Sequence, residues 1–174
     1  GYKIESITDF TDPGEAVSRA SAVYVSGGNT FRLLNELYRH RLIEPLRAQV
    51  LSGVPYMGSS AGANIAAPTI QTTNDMPIVY PPSLDALKLV PFQINPHYFD
   101  PEPAEPRRGE TRDERIREFL EENSPIVVGL REGAWLRREG STLWLKGEGG
   151  AKVFRRGEEP KDYPSGSDLS FLLD

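Results

Sequence analysis

Val54-Pro55-Tyr56-Met57-Gly58-Ser59-Ser60-Ala61-Gly62-Ala63-Asn64 is an apolar run that breaks at a G-x-S-x-G pentad and continues in small, helix-compatible residues. This is the sequence form of a nucleophile elbow, in which a strand turns sharply into a helix and holds a serine hydroxyl above the strand's carboxyl end. Flanking glycines leave room for such a turn. Ser60 would also sit at a helix amino terminus, where unpaired backbone N–H groups can stabilise an oxyanion. The pentad alone is only moderately specific, because Gly- and Ser-rich turns are common. Its reading depends on whether a base, an orienting acid and an oxyanion partner exist elsewhere in the chain.

Composition narrows that search. The 174 residues are 38% hydrophobic and 26% charged, which fits one core and one α/β domain over 1–174. A net charge of −5 with no basic cluster argues against a nucleic-acid partner. No apolar stretch reaches the roughly 18 residues of a membrane span. The absence of cysteine excludes a thiol nucleophile, a disulfide framework and thiolate zinc sites. The two histidines, His40 and His97, match no paired metal-ligand motif, and neither a metal nor a cofactor is expected.

Outward from the elbow, strands alternate with helices. Ser21 to Val25 reads as a buried strand, followed by a Ser26-Gly27-Gly28-Asn29 turn and a helix with Phe31, Leu33, Leu34, Leu37 and Tyr38 at helical spacing. Ile43 to Leu51 is a second helical piece, and Pro68 ends the helix after the elbow. Leu89 to Ile94 reads as a strand running into an Asn95-Pro96-His97-Tyr98 turn, and Asp100 to Gly109 as an irregular surface loop. Thr111-Arg112-Asp113-Glu114 has the form of a capping box opening a helix through Leu120, and Pro125 to Leu130 is a buried strand. Three short strands, Ala134 to Leu136, Thr142 to Leu145 and Ala151 to Phe154, suggest antiparallel hairpins. The start, Gly1 to Ile7, alternates like a strand and lacks an initiator methionine, so the chain is expected to be a fragment missing its first strands. The whole reads as α/β, a mainly parallel sheet flanked by helices with an antiparallel carboxyl-terminal extension.

In such a sheet, functional groups collect at the carboxyl ends of strands. Ser60 lies at one. A serine needs an adjacent base, and His97, aimed by the preceding proline, suits that role better than His40, which ends a helix between Arg39 and Arg41. Glu132 follows another buried strand and could hold the imidazole in its productive tautomer. Asp75, in Thr73-Asn74-Asp75-Met76-Pro77, competes as the orienting acid. The residue chemistry leaves both carboxylates open.

Together, Gly27-Gly28-Asn29-Thr30-Phe31, Gly58 to Asn64, Thr73 to Pro77, Gln93-Ile94-Asn95-Pro96-His97-Tyr98, Gly109-Glu110-Thr111-Arg112 and Gly129-Leu130-Arg131-Glu132-Gly133 resemble peptidase E, the α-aspartyl dipeptidase family. The match runs from about Ser21 to Phe154, and several ordered blocks are far more specific than the elbow alone. The resemblance implies a class I glutamine amidotransferase-like fold, Ser60 as nucleophile, His97 as base and Glu132 as third member. It also implies hydrolysis of dipeptides with an amino-terminal aspartate. Two departures stand out: Ser59 precedes the nucleophile where family members often carry an aromatic residue, and the family's first strand and helix are expected to be absent from this sequence.

The amides of Gly28 and Ala61 would then form the oxyanion hole. Arg112 is the candidate for gripping the substrate carboxylate, since a cation at the first helical position opposes the macrodipole and so has a functional rationale. Asp75 is otherwise assigned to the substrate pocket. The expected partner is a small Asp-X dipeptide, with no nucleic acid and no membrane, in the cytoplasm, and with a homodimer as an assembly to consider. A cyanophycinase-like hydrolase acting on aspartate-rich polymers, and a silent binding module that keeps the elbow as a ligand turn, are the alternatives.

Overall fold

The computed structural model describes residues 3–100 and 109–174. The chain divides into two compact units, one comprising Gly1–Thr69 and Asp75–Leu89, the other Ile70–Asn74 and Val90–Asp174.

The first unit opens differently from its sequence pattern. Residues 3–6 form no strand, and Ile7–Asp9 is a 3-10 turn capped by Ser6, whose hydroxyl accepts from the Thr8 amide. Among the described residues no strand pairs with this segment: Ile4 is 88% exposed, and local side-chain-to-backbone bonding wins. Helix α1 (Pro13–Arg19) starts on an Asp12 cap with proline at its first turn. Strand β1 (Val23–Val25) leads through the Gly-Gly turn into α2 (Thr30–Arg39), which Asn29 caps by accepting from the Arg32 amide. Helix α3 (Ile43–Leu51) buries Ile43 and Leu46. Strand β2 (Tyr56–Gly58) pairs in parallel with β1, bringing Val25 beside Gly58, and α4 (Ala61–Ala66) follows at once. Two parallel strands thus end side by side, each running into a turn.

The second unit repeats that device. Strand β3 (Gln93–Tyr98) is followed by α5 (Arg112–Glu122), which opens on the expected capping box: Thr111 accepts from the Glu114 amide while Glu114 accepts from the Thr111 amide. Strand β4 (Val127–Arg131) pairs in parallel with β3. Strands β5 (Ala134–Glu139) and β6 (Thr142–Gly147) form the expected antiparallel hairpin. Strand β7 (Ala151–Phe154) does not extend that hairpin. It returns antiparallel to β4 and takes β8 (Lys161–Tyr163) on its other edge, giving the order β3-β4-β7-β8. The reason is burial: Ala151, Val153 and Phe154 are all buried, as an interior strand requires. Ile116 and Leu120 of α5 pack with Tyr98, Val127 and Phe154 in its core.

The proline-bearing stretch Asp100 to Gly109, expected as a surface loop, lies outside the described residues apart from its two ends. Among the described residues no helix is long and apolar enough to cross a membrane.

Candidate active site

Ser60 links β2 to α4 with φ 55° and ψ −109°, a conformation that few non-glycine residues adopt, and its side chain makes no capping bond to the helix it precedes. The two glycines of the pentad are required by space rather than by their own dihedrals. A Cβ on Gly58 would collide with the Gly62 carbonyl, and one on Gly62 with the carbonyl of Val25. The pentad therefore folds the start of α4 down onto the ends of β1 and β2. Tyr56 completes the packing, its hydroxyl donating to the Gly62 carbonyl at 2.7 Å.

The other turn of this unit lies against the serine. A Cβ on Gly27 would stand 3.3 Å from the Cβ of Ser60, and Gly28 has φ +145°. Ala61, the residue after the serine, is buried at the first position of α4. Asp75 holds the Gly-Gly turn from outside. It accepts from the Thr30 amide at 2.7 Å and the Thr30 hydroxyl at 2.6 Å, and Asn29 donates to the Met76 carbonyl at 2.8 Å. A carboxylate at the amino terminus of α2 is favoured by the helix dipole.

In the second unit His97 and Glu132 come together. Glu132 Oε1 bonds to His97 Nδ1. An ionised carboxylate only accepts, so Nδ1 carries the proton and Nε2 is left as the basic nitrogen. The sequence reading of His97 needs correction: it does not follow the strand in an Asn-Pro turn but lies within β3, at φ 55°. Pro96 pairs with Leu130 and Tyr98 with Arg131, so His97 is the extra residue of a β-bulge. A bulge re-aims one side chain while the ladder continues. Asn74 supports it, donating to the Pro96 carbonyl at 2.8 Å, and Asn95 donates to Asn74 at 3.0 Å and to the Thr72 carbonyl at 2.7 Å.

Arg112 occupies the first position of α5, as expected. Its guanidinium lies over the Phe99 ring at 5.2 Å, and its buried Nε has no hydrogen-bond partner among the described residues. Burial, with Arg115 nearby, pulls its pKa down from the usual guanidinium value. A half-buried cation with an unmet donor is suited to an anionic ligand. His40 pairs with Glu36 at 3.6 Å at the end of α2, the surface role expected for it.

Sequence reasoning missed a charged cluster flanking the His97–Glu132 pair. Arg131 grips Asp100 with Nε at 2.8 Å and Nη2 at 3.1 Å, and reaches Asp162 at 2.5 Å. Lys152 donates to Asp100 at 2.7 Å, and the Tyr98 hydroxyl donates to Asp113 at 2.5 Å. The Arg131 guanidinium and the Lys152 ammonium hold the Asp100 carboxyl well below the usual carboxylate range. Because that folded pKa is depressed, the stabilisation is fully present above the unfolded value of about 4 and is lost as pH falls below it. Urea midpoints should therefore drop on acidification below about pH 4, with a shallower drop in Asp100→Asn. Equal slopes in both proteins would remove Asp100 as the source. Among the described residues no cluster of His, Asp and Glu could hold a metal ion.

The family model for peptidase family S51 matches residues 1–146. The chain belongs to peptidase family S51. It is similar to "Peptidase E" of Streptomyces coelicolor, 57% identical across all of this chain and 72% of that protein. A Drosophila melanogaster protein named "Probable alpha-aspartyl dipeptidase" is 48% identical over 99% of this chain and 72% of its own length. The crystal structure of a peptidase from an acI-B1 Actinobacterium, 21% identical, superposes with a TM-score of 0.64 over 91% of this chain and 62% of that one. The α/β fold with parallel strand pairs agrees with that likeness, and S51 membership sets the chain among peptidases.

Proposed function

We propose that this S51 member is a serine dipeptidase that hydrolyses dipeptides with an amino-terminal aspartate, in the cytoplasm. The observation that carries the reading is the Glu132 carboxylate on Nδ1 of His97, in a family whose relatives are named peptidase E and α-aspartyl dipeptidase. That contact fixes the tautomer in which Nε2 can accept a proton.

The steps follow from the chemistry of these groups. His97 Nε2 takes the Ser60 proton as Oγ attacks the peptide carbonyl, and the resulting imidazolium is stabilised by Glu132. The oxyanion is bound by the amides of Ala61 and Gly28. His97 then protonates the departing amine, leaving an aspartyl ester on Ser60, and water activated by the same imidazole releases aspartate. Arg112 grips the side-chain carboxylate of the substrate. Asp75 shapes the pocket indirectly by clamping Thr30 beside the Gly-Gly turn.

The reading is tested by comparing Asp-Leu, Glu-Leu and Ala-Leu as substrates, together with labelling of Ser60 by a serine-directed phosphonate. Asp-Leu should be cleaved fastest. Labelling without turnover of Asp-Leu would replace the substrate assignment, and no labelling would remove the serine mechanism. Arg112→Met keeps much of the apolar bulk and removes the donor fork. Activity on Asp-Leu should then fall by about 2 to 4 kcal/mol more than activity on Asn-Leu, the scale for losing one partner of a buried charge pair. An unchanged Asp-to-Asn preference would move the carboxylate site elsewhere.

A further inference from the structure

We propose that Arg131 is a positioning residue that sets the His97–Glu132 geometry, acting through a clamp made with Asp100, Asp162, Lys152 and Tyr98. This inference rests on the proposed roles of His97 and Glu132.

The sequence positions are the first observation. Tyr98 follows His97, Arg131 precedes Glu132, and the two are register partners at the place where the bulge closes. Whatever fixes Tyr98 and Arg131 therefore fixes the backbone on one side of each member of the pair. Tyr98 is 1% exposed, packed edge-on against Phe154 at 5.8 Å. Two cations flank its ring, Arg131 at 5.5 Å and Lys152 at 5.6 Å. Its hydroxyl is held by Asp113 and, at 3.3 Å, by Asp100.

Arg131 is the hub. Its planar fork grips Asp100 through two nitrogens and reaches across β7 to Asp162 on strand β8, so the guanidinium cannot rotate without breaking several charge-assisted bonds. The cations are largely covered, with 22% of the Arg131 side chain and 14% of that of Lys152 exposed, while Asp100 and Asp162 reach them from the solvent side at 47% and 61% exposed. It is therefore the two-nitrogen geometry more than dryness that holds the guanidinium. Its backbone is tied as well, the amide donating to the Gly150 carbonyl at 3.3 Å. A Cβ on Gly149 would collide with the Glu132 carbonyl, which shows how closely the turn between β6 and β7 seats Glu132. Glu132 itself is an exposed turn residue with a long, flexible side chain. An exposed carboxylate of that kind contributes little unless its backbone is held, and Arg131 is the group that holds it.

The test uses the full chain and two readouts. The first is the proton NMR signal of His97 Nδ1–H, expected far downfield in the wild type and absent in Glu132→Gln. Arg131→Met should abolish it, and Arg131→Lys, which restores charge without the fork, should bring it back only in part. The second is turnover of Asp-Leu. Arg131→Met should lower kcat on the order of 30-fold with KM changed less than about threefold, and should have almost no further effect in a Glu132→Gln background. Should Arg131→Met fail to fold, Asp100→Asn, which weakens the same grip at a more exposed site, should give the same pattern at about threefold to tenfold.

Persistence of the downfield proton in Arg131→Met, or its absence from the wild type, overturns the proposal. So does a loss of kcat equal in both Glu132 backgrounds. If the NMR pattern holds and Asp-Leu is not cleaved, the dipeptidase reading fails and the positioning role stands.

Discussion

Ser60→Ala is expected to lower hydrolysis of Asp-Leu by roughly a millionfold, the scale for removing the nucleophile of a serine triad. The same change should leave the melting temperature nearly where it was. Alanine carries the Cβ that serine carries, so it meets the same backbone cost at φ 55° and ψ −109°, and no helix cap is lost because Ser60 makes none. The collisions that shape the turn belong to Gly58 and Gly62, which are untouched. Steady-state kinetics beside a thermal melt separate chemistry from folding. Retention of more than about a tenth of the activity would exclude Ser60 as nucleophile.

The second large effect is expected at Glu132. Glutamine there keeps the length and shape of the side chain but loses the negative charge, and its amide can present a donor that favours the wrong tautomer of His97. The interaction lost is one that strengthens as imidazolium forms in the transition state. Turnover should therefore fall on the order of 10²- to 10⁴-fold while KM moves little. Asp75→Asn is the informative comparison. Asp75 accepts from the amide and hydroxyl of Thr30 at the start of α2, so its loss should register mainly in stability, on the scale of about 1 kcal/mol for a helix cap. A turnover-only loss in Asp75→Asn with none in Glu132→Gln would exchange the roles of the two carboxylates.

What could be read in the sequence was what is decided locally. The Thr111–Glu114 capping box closes within one helical turn and formed as its spacing implied. Gly58 announces the sharp turn around Ser60 because its constraint, the Gly62 carbonyl, lies within the same turn, whereas Gly62 answers to the Val25 carbonyl of the paired strand β1. Glu132 beside His97 required a parallel register between β3 and β4, which two buried strands separated by a helix favour. The bulge was not legible. Asn-Pro signals a turn locally, yet Pro96 is buried inside β3 and its carbonyl is met by Asn74, an arrangement that depends on a distant segment. Nor could spacing reveal that Arg131 would reach Asp100 and Asp162, since each of those contacts needs the finished sheet. The strand-like start failed for the same reason in reverse: alternation predicts a strand only where a partner edge is available.

Ser60 and His97 are two of the four non-glycine residues at positive φ among the described residues. Each such position costs on the order of 1 to 3 kcal/mol relative to a relaxed backbone, and glycine would relieve much of it. On the proposed mechanism, heat resistance and turnover therefore favour different amino acids at these two sites. A mutant library screened only for thermal survival would drift toward glycine at both and yield a sturdier, inert protein. Any effort to harden this peptidase has to score catalysis in every round, or exclude these two codons from the outset.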